Sequence, residues 1–267
     1  MTAPTPFIRL PFNVPGTAAH VLDAALVAPM FPSIAELEAT GHWIFSSANP
    51  TMADLLSGQL MVANADAPVM SAGYMTLANG ASNHHNNGLK TPYDDRTSYT
   101  MCMVFRIAVG GTGRQVVYGN NAGTTGDYLL QQPQDAPHML LLSAGLPNAN
   151  GPETTISYPS GAANGDWVFL AVTYDLAGNL NSNVAGRTLY FGNSGGSPLT
   201  QTGLKLPAAT KIAIGNVASG NNTDLYRRDI SFAELIFFAT PQSQAEVARI
   251  YARSQARLLS ENGITVY

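Results

Sequence analysis

Cysteine occurs once in 267 residues, at Cys102, so an internal disulfide framework is excluded. Charge is almost as scarce. Asp, Glu, Lys and Arg make up 11% of the chain, against roughly 25% in an ordinary soluble domain. Thirteen basic residues against seventeen acidic ones leave a net charge of −4, and no basic cluster exceeds Arg227-Arg228. A partner recognised through its phosphates, and hence nucleic acid, does not fit that balance. No stretch approaches the ~18 consecutive apolar residues of a membrane-spanning helix. The opening MTAPTPFIRLPFNVPG lacks the basic-then-apolar order of a secretory signal. Synthesis in a cytoplasm without membrane insertion is the expectation.

What fills the chain instead is Gly (25), Pro (17) and many neutral polar residues, the composition of a loop-rich β protein. Residues 1–42 read as an N-terminal arm. They carry Phe7, Ile8, Leu10, Phe12 and a second apolar group from Val21 to Phe31, with prolines between. Within the arm, SIAELEATG reads as a short helix with Ser33 as N-cap, Glu36 at the capping-box position and Gly41 as its stop. Residues 43–240 carry strand signals at short intervals. SYTMCMVFRI alternates, placing Tyr99, Met101, Met103, Phe105 and Ile107 on one face. RQVVYGN, DYLLQQ, HMLLLSAG, TTISYPS, TLYFG, KIAIGN and ISFAELIFFA follow, each bounded by turn residues. WVFLAVTYD is apolar on both faces, as expected of a central strand in two packed sheets; Val168, Leu170 and Val172 face one way, Trp167 and Phe169 the other. Residues 241–267 change period. Val247, Ile250, Tyr251 and Leu258 form one helical stripe, with Pro241 in the first turn, Ser243 and Glu246 as a capping box and Asn262-Gly263 as the end. Arg249, Arg253 and Arg257 read as a solvated row. Cys102 sits in an apolar run and reads as a buried, inert thiol.

Three segments in order resemble the laminin G-like, or concanavalin A-like, lectin/glucanase superfamily. They are YMTLANG…NGLKTPYDDRTSYTMCMVFRI, then GDWVFLAVTYD followed by RTLYFGN, and last KIAIGNVASGNNTDLYRRDISFAELIFFATPQSQAEVARIY. The resemblance implies an all-β fold, an antiparallel two-sheet jelly-roll sandwich, with the N-terminal arm and C-terminal helix appended. The Gly/Asn richness and the C-terminal helix ending in GITVY also resemble bacteriophage virion proteins of tail fibres, tail tips and head decorations. That resemblance implies residence in the virion, other virion proteins as partners, a cell-surface glycan as a further partner, and a homo-oligomer, a trimer by analogy.

The superfamily includes polysaccharide-degrading glycosidases and lyases, which is the alternative reading. Its laminarinase-type members place paired carboxylates on one strand as E-x-D-x-E. No such triplet occurs here, and Glu234 in ISFAELIFFA has neutral neighbours. No nucleophile elbow or phosphate loop accompanies it. No catalytic residue is assigned. His84 and His85 in SNHHNNG are adjacent, so on a strand they would point to opposite faces; with no companion ligand spacing, they read as an exposed recognition loop rather than a metal site. The candidate ligand-binding residues lie in two loops, GNNAGTTGDY with Asn120, Asn121, Asp127 and Tyr128, and NVASGNNTDLY with Asn221, Asn222, Asp224 and Tyr226. Amides and carboxylates beside a tyrosine suit sugar hydroxyls and a sugar ring. No cofactor is assigned, although the resemblance admits a calcium ion at such a rim.

Overall fold

The structure is a computed structural model that describes residues 36, 38–78, 87–96, 98–107, 115–119, 127–132, 139–144, 154–159, 161–175, 186–191, 199–202, 209–216 and 228–267. Most of the N-terminal arm therefore lies outside the described residues, as do the run FIRLPF and Ser33. The described chain forms two antiparallel sheets and one C-terminal helix, which is the two-sheet sandwich that the strand signals predict.

The strands are β1 (Gly41–Ile44), β2 (Val62–Ala63), β3 (Val69–Met70), β4 (Met75–Leu77), β5 (Gly88–Asp94), β6 (Ser98–Arg106), β7 (Gln115–Gly119), β8 (Asp127–Gln132), β9 (Met139–Ala144), β10 (Thr154–Ser157), β11 (Trp167–Asp175), β12 (Gly186–Phe191), β13 (Leu199–Thr202), β14 (Lys211–Gly215) and β15 (Ile230–Phe238). The first sheet runs β13-β12-β11-β6-β15-β4-β3, with β1 also paired to β15. The second runs β10-β9-β8-β7-β14-β5-β2. β11 is central, paired to β6 over its whole length and to β12 from Leu170 onward.

The period-2 pattern sorts side chains into two cores. Met101, Met103, Phe105, Val168, Leu170, Val172, Phe232, Leu235 and Phe237 are buried between the sheets, with Trp43, Leu89, Tyr118 and Ile214. Cys102, Val104, Phe169, Ala171, Ile236 and Phe238 point outward from the first sheet, where Val247, Ile250 and Leu258 of the helix cover them. Each such aliphatic side chain removed from water contributes roughly 1.5–3 kcal/mol. A strand apolar on both faces is thus explained: one face meets a sheet, the other a helix.

The helix α1 (Gln244–Asn262) begins at Ser243, whose hydroxyl accepts from the Glu246 N–H at 3.3 Å, and ends at Gly263 in the left-handed conformation. Pro241 lies two residues ahead of the N-cap, outside the first turn where it was expected. Beyond the helix the chain returns to β11. Tyr267 donates its N–H to Trp167 O at 2.8 Å and accepts from the Phe169 N–H at 2.9 Å. These bonds fill the stretch of β11 that β12 does not pair.

Two sequence expectations are corrected here. Gly41 does not stop a helix; it opens β1, and it is glycine because a Cβ there would lie 2.5 Å from the Tyr93 hydroxyl oxygen. Arg257 is not solvated. It lies seven residues from Ile250, almost two full turns, and so faces the sheet on the same side as Ile250. KTPYD, within the first of the three resembling segments, is the second half of β5. Its ladder with β14 is irregular around Pro92, which has no N–H to give. The Thr91 hydroxyl donates to Ile212 O at 2.9 Å in that place, and Lys211 Nζ donates to Pro92 O at 2.9 Å.

Candidate functional site

Two polar constellations stand out from this frame, one open and one sealed. The open one is a cleft of about 250 Å3 at one end of the sandwich, lined by Arg106, Ile107, Gln115, Asn164, Gly165, Asp229 and Ser231. Four elements meet there: the end of β6, the start of β7, the turn leading into β11 and the start of β15. The pairing of Trp167 with Arg106 and of Phe232 with Phe105 brings these ends level. Arg106 Nε donates to Gly165 O at 2.8 Å, which fixes the plane of the guanidinium. Gly165 has φ +90°, a left-handed value that side chains rarely adopt, and a Cβ there would approach Arg106 Nη2 to 3.3 Å. The turn is held by Asp166, whose carboxylate accepts from the Ala163 N–H at 2.7 Å. Gln115 Nε2 donates to the Asp229 carbonyl, tying β7 to the start of β15. Asp229 is the sole carboxylate among the described residues lining the cleft.

The sealed constellation lies under α1. Between Phe232 and Glu234 the register of β15 against β6 slips by one residue. Ala233 and Glu234 consequently both face outward, and the inward phase resumes at Leu235. Glu234, 1% exposed, meets Arg257 there, with Nε at 2.8 Å and Nη2 at 2.7 Å from Oε1. His42 from β1 is fully buried beside them, its Nε2 at 2.9 Å from the same oxygen. His42 Nδ1 accepts the Glu36 N–H at 2.8 Å, so the ring proton sits on Nε2 and is donated to Glu234. Glu36, itself buried, takes Arg253 through Nε at 3.0 Å and Nη2 at 2.7 Å. Burial pushes the Glu234 carboxyl up, but the His42 ring and the Arg257 guanidinium override it and bring it down to about 2. An acid catalyst of glycoside cleavage needs the reverse, a carboxyl held protonated near neutrality. Glu234 is therefore an ionised fastener between sheet and helix, shut off from the space between the sheets. No strand pattern signalled it, because the bulge that turns it outward has no sequence mark.

The residues singled out from sequence fall mostly outside the described residues. His84, His85, Asn120, Asn121, Asn221, Asn222, Asp224 and Tyr226 are not described; Asp127 and Tyr128 open β8, without described side chains. Their flanking strands are placed, however. Ala78 and Asn87, on either side of residues 79–86, are joined by Asn87 Nδ2 donating to Ala78 O at 2.5 Å. The Asn216 N–H, just before residues 217–227, donates to Asn87 O at 3.0 Å. Asn87, one of the polar residues of SNHHNNG, is thus a buried staple. With Ile230 opposite Leu77 and Gly215 opposite Gly88, both flanks lie at the end of the sandwich that holds the cleft. Residues 120–126 follow the far end of β7, about 13 Å of strand beyond Gln115. Asp94 and Asp95 sit a whole strand away from Asn87, at the far end of β5. Among the described residues no group of three His, Cys, Asp or Glu side chains could hold a metal, and no helix is long and apolar enough to cross a membrane.

With this geometry in hand, solved structures can be compared. The receptor-binding domain of botulinum neurotoxin type G superposes with a TM-score of 0.56 at 13% identity, over 82% of this chain and 52% of that one. The serotype D ligand-binding domain in complex with N-acetylneuraminic acid gives 0.57 at 11% identity, over 82% and 52%. A further serotype D binding domain gives 0.57 at 11%, over 83% and 53%. The fold is a lectin-like β-sandwich. At these identities the likeness is one of fold, and this chain spans about half the length of the solved structures it matches. No protein-family profile matches the chain, and no curated protein matches its sequence.

Proposed function

We propose that this chain is a non-catalytic glycan-binding component of a bacteriophage virion, serving attachment to a host surface. The observation that carries the reading is the end cleft, whose lining includes the exposed residues Arg106, Asn164 and Asp229. Sugars are recognised by such sets of convergent polar groups on a rigid scaffold. Support comes from the sandwich shared with receptor-binding domains, one of them solved with N-acetylneuraminic acid bound. Among the described lining residues there is one carboxylate, not the pair that a glycosidase places about 5–10 Å apart. The virion reading rests on the resemblance in sequence character, and it includes other virion proteins as partners. It also includes a homotrimer to which residues 1–42, rich in apolar side chains, contribute contacts. No cofactor is invoked, so EDTA is expected to leave binding unchanged.

The test is binding of the full chain to a panel of immobilised bacterial glycans, with reducing-sugar release measured in parallel. Saturable binding without turnover is expected. Release of sugar ends overturns the non-catalytic reading, and no binding to any surface glycan overturns attachment. Light scattering at micromolar concentration reads the oligomer; a monomer ends the trimer.

A further inference from the structure

We propose that the outer face of the first sheet, beyond the end of α1, is a docking strip for an extended saccharide chain. Its sugars stack on a ridge made by Tyr74 and Trp167 and are held by Arg106, Ser231 and Thr76. The inference rests on the glycan-binding reading above and names a surface that runs across the strands.

Register builds the strip. Phe105, Val168, Phe232, Met75 and Met70 pack between the sheets, so their neighbours Arg106, Trp167, Ser231, Thr76 and Val69 point outward. Trp167 pairs with Arg106, Ser231 with Thr76, and Thr76 with Val69. Phe232 pairs with Phe105, which sets Ser231 level with Arg106. Side chains from β11, β6, β15, β4 and β3 therefore stand in one row, about 19 Å long at the ordinary strand spacing. The end of α1 sits three residues short of Thr76, against Gly73, where a Cβ would come within 2.7 Å of Asn262 Cβ. Past that contact the row is open. Arg106 is exposed, Val69 is 59% exposed, and Trp167, Ser231 and Thr76 are half-buried.

Aromatic surface beside hydroxyls sets the ligand class. Tyr74 leads into β4 and Trp167 opens β11, three strand spacings or about 14 Å apart. Their ring centroids nevertheless lie 5.3 Å from each other, so the two side chains reach together over β6 and β15 and form a ridge along the row. A half-buried aromatic ridge offers apolar surface to the C–H face of a pyranose. Beside it, Thr76 Oγ1 and Ser231 Oγ share one hydrogen bond at 2.9 Å. Two hydroxyls carry two protons and four lone pairs, so the pair keeps one donor and three acceptor positions for a ligand. Arg106 commits Nε to Gly165 O, its one side-chain bond among the described residues, and presents its Nη edge already oriented. Sugars alternate C–H faces with hydroxyls in the same way. A row of this length takes more than one ring, so affinity grows with the length of the chain.

The experiment joins calorimetric titration of the full chain to iodide quenching of its tryptophan emission. The chain has two tryptophans, and Trp43 is fully buried, so Trp167 is the one that iodide or a sugar reaches. The probes are maltohexaose, cellohexaose and chitohexaose, each with its disaccharide. At least one hexasaccharide is expected to bind saturably and to shield Trp167 from iodide, with its disaccharide weaker by about tenfold or more. Arg106→Ala is expected to weaken binding by about tenfold and Thr76→Val by about fivefold, the loss of one charged and one neutral hydrogen bond. Arg106 lies at the surface and valine keeps the shape of Thr76, and an unchanged melting temperature confirms that each variant folds. Binding that leaves iodide quenching unchanged, or that neither substitution weakens, overturns the strip while leaving glycan recognition standing. A disaccharide as tight as its hexasaccharide overturns the extended chain. No binding of any hexasaccharide overturns the strip, and the glycan panel then decides separately whether the chain binds glycans at all.

Discussion

Replacing Arg257 by alanine separates two pictures of the C-terminal helix. A solvated arginine on an exposed face costs less than about 0.5 kcal/mol to remove. Here the side chain is 5% exposed, reaches Glu234 through two nitrogens at 2.7–2.8 Å, and holds Ser254 Oγ at 3.1 Å. Removing one partner of a buried ion pair leaves the other charge uncompensated, at about 3–5 kcal/mol. His42 still donates to Glu234 in the variant, which places the expected loss near the lower figure, about 3 kcal/mol. With an m-value of about 3 kcal/mol/M in urea, the midpoint falls by about 1 M. Glu234→Leu combined with Arg257→Leu removes both charges but leaves the buried His42 Nε2–H without its acceptor, so only part of the loss is expected to return. Urea unfolding followed by tryptophan fluorescence reads all three proteins, since Trp43 is fully buried. A loss below about 0.5 kcal/mol for Arg257→Ala would refute the fastener and restore the solvated row.

The same cluster predicts an acid limit. Glu234 is lowered from 4.5 to about 2 in the folded protein, so its stabilisation is complete above about 4.5 and is lost as pH falls through about 2. That shift corresponds to about 3 kcal/mol, and the pH dependence of stability over this window is expected to shrink by about that amount in Glu234→Gln. Cys102 is fully buried and burial pushes its thiol up, so Ellman's reagent is expected to react only on unfolding; fast reaction of the native protein would contradict the outer core under α1. Asn87→Ala deletes the bonds to Ala78 and Asp66 and leaves the Ala78 carbonyl without that donor. A loss of about 1–3 kcal/mol is expected from thermal melts. Ser243→Ala is expected to cost about 1 kcal/mol through the lost N-cap.

Local pattern carried the elements whose neighbours are close in sequence. β6 and β11 follow from strict alternation, and their inward and outward sets fall as the period demands. The ends of α1 follow from Ser243 and Gly263, whose roles are decided within four residues. Features that depend on distant partners were hidden. His42 meets Glu234 across 192 positions, and nothing near either residue announces the other. The bulge at Ala233 reverses the phase of β15 without a glycine to mark it. Gly41 looks like a helix stop until Tyr93 comes within 2.5 Å of where its Cβ would stand. The cleft was invisible for a similar reason. Arg106, Asn164 and Asp229 lie far apart in the chain, and only the pairing of β6 with β11 and β15 brings them to one end.

The central claim is that the lectin-like sandwich binds a glycan without altering it. Its most direct measurement is equilibrium binding of the full chain to purified host-surface polysaccharide, with the polysaccharide recovered and its length compared before and after. The account predicts saturable binding, weakened by Arg106→Ala, and a polymer of unchanged length. A shortened polymer, or no binding at any concentration reached, would contradict it.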